Sequence, residues 1–66
     1  MELIYENLGY NHACSVKDQY GFTVETGEGQ TKELAKADLL QRLNEKLEAN
    51  TRKWTLALRF VVDSND

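Results

Sequence analysis

The fold of this chain is decided by residues 27–43, which read GEGQTKELAKADLLQRL. The two glycines at its start are typical of a strand that ends in a tight loop. Thr31 then offers a hydroxyl that can cap the first turn of a helix, and Glu33 suits the positive start of that helix. Because the chain contains no proline, we expect the helix to run without a break to about residue 50. The stretch predicts a strand end, a glycine loop and a helix that begins with lysines.

The predicted helix has one apolar side. At about 100° per residue, an arc of roughly 140° contains Ala35, Leu39, Leu40, Leu43 and Leu47. A stripe of this width packs on a sheet. Lys32 and Lys36 point toward the same side, so their stems can lie along apolar surface while their ammonium groups reach water or a ligand.

The residues before the helix predict three strands. The first two cover residues 3–5 and 13–17, and the third covers residues 22–25 and ends at the glycine loop. Residues 18–21 supply the turn between the second and third strands, because Gly21 can take a positive φ.

The residues after the helix alternate with a period of about two, which predicts a fourth strand over residues 54–63. We therefore expect an α+β fold in which residues 1–66 form a single β-β-β-α-β domain. One antiparallel-rich sheet would carry one helix packed on one face, and residues 64–66 would form a frayed tail.

The two faces of this predicted sheet differ in what they contact. The face under the helix would hold the core, made of Cys14, Val16, Phe22, Val24, Trp54, Leu56, Leu58 and Phe60. The other face would be bare, and would expose Ile4, Ala57 and Val61 beside Arg59. This apolar face is either the contact surface of a homodimer or another protein partner, or three scattered apolar residues on an ordinary surface.

Length and composition exclude several classes of protein. A chain of 66 residues buries only about 60% of the surface of its unfolded form, so its core is thin. The single cysteine rules out an internal disulfide, which leaves self-association as a route to stability. We expect no membrane contact, because no apolar run is long enough to span a bilayer. One unpaired cysteine fits a reducing, cytoplasmic location.

The residue types and spacings in the sequence do not predict a catalytic or metal site. His12 and Cys14 share a strand face, but the other ligands of a zinc site are missing. We expect no enzymatic activity, no cofactor, no metal and no small-molecule substrate. Tyr10 and Tyr20 lie in predicted loops and are candidates for contact with a partner.

Part of the chain resembles double-stranded RNA-binding domains. Residues 29–36, GQTKELAK, are similar to the glycine-rich strand end and lysine-bearing helix start of that family, and residues 9–12, GYNH, are similar to its histidine loop. The resemblance covers about residues 9–43. It implies that Lys32, Lys36 and His12 contact structured RNA, with the helix start on phosphates. Against this, the net charge of −3 is unfavourable for a nucleic-acid binder, and solvated lysines would explain the same residues.

A second resemblance is to the β-β-β-α-β module of HicB-type antitoxins. Residues 21–24, GFTV, and residues 29–33, GQTKE, are similar to the strand, turn and helix start of that module. It implies a domain that works by binding another protein. Two functions therefore remain open. The first is a non-catalytic regulatory module that acts through protein–protein contact and self-associates. The alternative is a degenerate double-stranded RNA-binding domain.

Overall fold

The computed structural model describes residues 1–46 and 52–64, with the side chains of residues 52–54 excepted. Three strands are followed by two helices: β1 (Glu2–Asn7), β2 (His12–Lys17), β3 (Thr23–Gly29), α1 (Lys32–Lys46) and α2 (Arg52–Asp63). The strands form one antiparallel sheet in the order β1-β2-β3. The predicted α+β class, and a helix packed on one face of an antiparallel sheet, are confirmed.

The turn between β1 and β2 is fixed by short-range hydrogen bonds. The Leu8 N–H donates to the Asn11 carbonyl at 2.7 Å, and the Gly9 N–H donates to Asn7 Oδ1 at 2.9 Å. Gly9 has a φ of 91°, a conformation that costs a residue with a Cβ about 1 kcal/mol or more. This hairpin sets the pairing of β1 with β2, in which Tyr5 lies opposite Cys14.

The helix α1 lies directly on the main chain of β3. A Cβ built at Gly27 would come within 2.6 Å of the Ala35 carbonyl oxygen, and one built at Gly29 within 2.6 Å of the Ala35 main-chain nitrogen. Both distances are shorter than van der Waals contact, so no side chain fits between the helix and the strand at either position. The two glycines of the deciding stretch are therefore required by close packing.

The start of α1 has the predicted cap. The Leu34 N–H donates to the Thr31 hydroxyl at 3.1 Å, which satisfies one of the first-turn donors that have no partner inside the helix. The apolar stripe is also confirmed, because Ala35, Leu39 and Leu43 are fully buried. The predicted end of the helix, from Leu47 to about residue 50, lies outside the described residues.

The core lies between the sheet and the two helices. Its buried members are Cys14, Val16, Val24, Ala35, Leu39, Leu43, Ala57 and Val61. Cys14, Val16 and Val24 are core residues as predicted, and Leu58 and Phe60 are partly buried against the core. Phe22 was predicted in the core, but it lies in the turn before β3 and its side chain is 68% exposed. The side chain of Trp54 lies outside the described residues.

The last element is a helix, so the predicted strand over residues 54–63 is wrong. A short apolar-rich run fits the two-residue repeat of a strand and also the 3.6-residue repeat of a helix. Its sequence therefore does not decide between the two elements. In the helix, Ala57 and Val61 lie four residues apart on one side and are fully buried. Leu56 and Val62, which the strand would bury, are 53% and 60% exposed.

The helix α2 runs back along α1. Lys36, near the start of α1, donates from Nζ to the main-chain carbonyl of Ser64 at 2.9 Å. This bond holds the end of α2 beside the start of α1, so the two helices are antiparallel. Ser64 belongs to the predicted tail, and the other two residues of that tail lie outside the described residues.

We expect Gly27→Ala to destabilise the protein by about 3 kcal/mol, because the added methyl group forces α1 away from β3. Gly9→Ala is a matched control, since a Cβ at Gly9 meets nothing within 4 Å and the change should cost only about 1 kcal/mol of backbone strain. Urea unfolding measures both. Equal losses in the two variants would contradict the close packing of α1 on β3.

Two neighbouring valines distinguish the helix from the predicted strand. Val61→Ala should cost about 1–2 kcal/mol of unfolding free energy, because it removes buried methyl groups. Val62→Ala should cost less than about 0.5 kcal/mol, because that side chain is exposed. A strand would reverse the order of the two losses, and urea unfolding of both variants reads it directly.

Candidate functional site

The turn between β2 and β3 exposes two aromatic side chains. Tyr20 is 76% exposed and Phe22 is 68% exposed. Asp18 orders the main chain beneath them, because its Oδ1 accepts the N–H of Tyr20 at 2.9 Å and the N–H of Phe22 at 3.0 Å. Gly21, with a φ of 87°, completes the change of direction. We call residues 18–22 the aromatic turn.

Two main-chain hydrogen bonds close the aromatic turn. The Asp18 N–H donates to the Phe22 carbonyl at 2.9 Å, and the Gly21 N–H donates to the Asp18 carbonyl at 3.1 Å. The side chains of Tyr20 and Phe22 therefore project from a backbone that is already fixed. Aromatic side chains with few rotatable bonds give a large contact area at a low cost in ordering entropy.

The aromatic turn was only partly predicted. Tyr20 was expected to be a loop contact and is exposed, but Phe22 was assigned to the core. The sequence contains a signal for the position of Phe22. An aspartate at the start of a turn and a glycine three residues later favour a turn that continues through the next residue, which is Phe22.

Tyr10 is exposed at the other end of the sheet. Its side chain is 82% exposed in the turn between β1 and β2. The six residues of β2 separate this turn from the aromatic turn by about 20 Å. Tyr10 and Tyr20, both predicted as loop contacts, therefore cannot touch the same small patch of a partner.

The three predicted RNA contacts lie toward one end of the molecule, where β3 passes into α1. His12 is opposite Asn7 and Gly29 in the sheet register. The Nζ of Lys32 lies 4.3 Å from the centroid of the Tyr5 ring, a cation–π geometry. Lys36 is half-buried and holds the Ser64 carbonyl. Both lysines thus have contacts within the protein that account for their positions.

Cys14 lies beneath this end of α1 and is fully buried. Burial raises the pKa of the Cys14 thiol, while the hydrogen bond with the Tyr5 side chain and the charges of Lys36 and Lys32 act in the opposite direction. The raised pKa keeps the sulfur protonated near neutral pH, and a buried thiol of this kind is a poor nucleophile.

The predicted partner surface on a bare sheet face does not exist in the predicted form. Ile4 does lie on the outer face of the sheet, away from α1. Ala57 and Val61 are buried on α2, and Arg59 is exposed on α2 and not on the sheet. The placement of these three residues on a sheet face was wrong because the element that carries them is a helix.

The outer face of the sheet is acidic and polar. Its exposed carboxylates belong to Glu2, Glu6 and Glu28. In the middle of the face the hydroxyls of Ser15 and Thr26 are hydrogen-bonded at 2.9 Å. Lys17 lies opposite Glu2 on this same face. Because the three carboxylates outnumber its ammonium group, the face attracts cations more strongly than phosphates.

The free edge of β3 is blocked by side chains of the chain itself. Asp38 Oδ2 accepts the main-chain N–H of Glu28 at 2.9 Å and pairs with the Arg42 Nε at 2.9 Å. The Glu28 N–H, together with the Arg42 guanidinium, holds the pKa of Asp38 below its ordinary value, against the effect of burial. This carboxylate therefore stays ionised and occupied at neutral pH.

A second carboxylate occupies the next outward donor of β3. Glu25 Oε1 accepts the Thr26 N–H at 3.0 Å, and Glu25 Oε2 lies 3.1 Å from Lys46 Nζ. An added strand would have to displace both carboxylates, so this edge is protected against pairing.

The described residues offer no metal centre or membrane span. Among residues 1–46 and 52–64, no group of three or more His, Cys, Asp or Glu side chains is placed to hold a metal ion. Over the same residues, neither helix has the length and apolar content needed to cross a membrane. In comparisons with known proteins, no family model, no curated protein and no solved structure matches this chain.

Proposed function

We propose that this chain is a non-catalytic regulatory module that acts through protein–protein contact and self-associates, with the aromatic turn as its contact. The observation that carries the proposal is the exposure of Tyr20 and Phe22 on a backbone fixed by Asp18.

Exposing these two side chains has a cost for so small a domain. Each would contribute about 2 kcal/mol if it were buried, and the core contains no fully buried aromatic residue among the described residues. The turn itself needs only Asp18, Gly21 and the main chain, so polar side chains at positions 20 and 22 would serve its geometry equally well. Aromatic residues held rigidly at a surface are typical of the energetic centre of a protein interface.

A second copy of the chain is the simplest partner for the aromatic turn. In a two-fold dimer the same patch faces itself, so Tyr20 and Phe22 of each copy would stack on those of the other. Such a contact would shelter apolar surface that the thin core cannot cover.

The double change Tyr20→Ser and Phe22→Ser should make the chain monomeric at every protein concentration. At a concentration low enough for the parent to be monomeric as well, the unfolding free energies of the two chains should agree within about 0.5 kcal/mol, because both side chains are exposed in the monomer. Sedimentation equilibrium over a wide range of protein concentration measures the association. Tyr10→Ser, which removes an exposed tyrosine at the other end of the sheet, is the control and should associate as the parent does. Association that survives the double change, or a parent chain that is monomeric at every concentration, would contradict the proposed contact.

RNA binding is the alternative, and it is favoured by one observation: Lys32 is exposed at the start of a helix that follows three antiparallel strands. If the alternative holds, duplex RNA is retained in an electrophoretic titration at low salt and released at moderate salt, because phosphate contacts release counterions. Lys32→Glu should then weaken retention, while Lys17→Glu on the opposite face should change it less. The protein-contact proposal predicts no retention in any of the three chains.

A further inference from the structure

The two edges of the sheet differ in how their main-chain groups are used. In an antiparallel pair, hydrogen-bonded and non-bonded residue pairs alternate. The Leu8 N–H donates to the Asn11 carbonyl across the hairpin, so Leu8 belongs to a hydrogen-bonded pair. Leu3 and Asn7 are separated from Leu8 by an odd number of residues along β1, so they belong to non-bonded pairs. Their N–H and C=O groups therefore point away from β2.

The same alternation can be checked at the opposite edge. Carried across β2 and through the register of β3, it sends the N–H groups of Thr26 and Glu28 outward. These are the two donors that Glu25 and Asp38 occupy. The direction assigned to Leu3 and Asn7 is therefore consistent with the hydrogen bonds observed elsewhere in the sheet.

The edge of β1 lacks the protection seen on β3. Within residues 1–46 and 52–64, no strand lies beyond β1, and no group bonds to the outward main-chain atoms of Leu3 or Asn7. The sheet can therefore be extended at β1 and not at β3.

The charge along β1 selects what can add there. Glu2 and Glu6 project from the outer side of the strand and are exposed, while Leu3 and Tyr5 project from the helix side and border the core. Lys17 of β2 lies opposite Glu2, but Glu6 lies opposite Ala13, so the outer side of this edge keeps a net negative charge.

A second copy is a poor occupant of this edge. If two copies of β1 paired antiparallel with the two Ile4 residues opposite each other, Glu2 of each copy would face Glu6 of the other. If the two Tyr5 residues were opposite each other, Glu6 of each copy would lie against the apolar Ile4 of the other.

We propose that the edge of β1 binds an extended segment of a partner protein as an added strand, with basic residues on the side that faces Glu2 and Glu6. Apolar residues alternate with the basic ones and continue the layer of Leu3 and Tyr5. This inference rests on the proposed protein-binding function, and it adds a second surface and the chemistry of the partner.

The probe is a short, labelled synthetic peptide in which lysine and valine alternate. The control peptide has the same length and carries glutamate in place of each lysine. Fluorescence anisotropy should show that the 66-residue chain binds the lysine peptide and not the glutamate peptide. Replacing both Glu2 and Glu6 by Gln should weaken binding and reduce its dependence on salt.

A pair of variants at Asn7 separates strand addition from general charge attraction. Asn7→Pro and Asn7→Ala both remove the side chain that accepts the Gly9 N–H, but only proline removes the outward main-chain donor. Asn7→Pro should weaken peptide binding about tenfold or more relative to Asn7→Ala. Equal affinities of the two variants, or no binding by the parent chain, would overturn the proposal.

Amide exchange keeps the test decisive if Asn7→Pro fails to fold. On adding the lysine peptide to the parent chain, the N–H groups of Leu3 and Asn7 should become protected, and those of Thr26 and Glu28 should not change. Protection that is absent at β1 would overturn strand addition. The Tyr20→Ser and Phe22→Ser chain should bind the peptide as the parent does, so failure at the aromatic turn and failure at the β1 edge give different results.

Discussion

The contact between α1 and the bare main chain of β3 is the constraint on which the rest of the structure depends. At Gly27 and Gly29 there is no space for a side chain between α1 and β3. The helix therefore lies closer to β3 than it could if that strand carried side chains at these two positions. This close approach lets Leu39 and Leu43 reach Cys14 and Val16 in a core with few members. It also brings Asp38 within hydrogen-bonding distance of the Glu28 N–H, so the same packing that builds the core closes one edge of the sheet.

The surfaces left available follow from that arrangement. One sheet edge is occupied by carboxylates and one sheet face by α1, while the outer face carries three exposed glutamates. Two further surfaces of the described residues are the aromatic turn and the edge of β1. They are different kinds of surface, because the first presents apolar side chains and the second presents main-chain hydrogen-bonding groups flanked by negative charge. If both proposed contacts form, they would lie on different parts of the domain and would not compete for the same residues.

Much of the fold follows from local signals in the sequence. The Thr31 cap, the stripe of Ala35, Leu39 and Leu43, and the burial of Cys14 and Val16 all depend on residues close together in the chain, and all were predicted. The last element was not, because its apolar residues satisfy a period of two as well as helical spacing. Only packing against α1, a contact distant in sequence, decides between them, and it buries Ala57 and Val61 in place of Leu56 and Val62.

The candidate site shows the same division. Tyr10 and Tyr20 were expected at the surface from loop position alone, while the burial of Ala57 and Val61 could not be read without the helix. Phe22 was misplaced because hydrophobicity favours the core, whereas the hydrogen bonds of Asp18 fix its residue in the turn. The edge of β3 is closed because the Asp38 and Glu25 carboxylates accept main-chain N–H groups. The spacing of these residues in the sequence does not predict either hydrogen bond.

The hydrogen bond from Lys36 to the Ser64 carbonyl bears on where a fused domain or a solid surface can be joined to the chain. It holds the end of α2 near the start of α1, at the end of the sheet that carries the β1–β2 turn, whereas β1 begins opposite Lys17, beside the aromatic turn. A surface or a fused domain joined after α2 would therefore stand clear of Tyr20 and Phe22. The same attachment made ahead of β1 would crowd them.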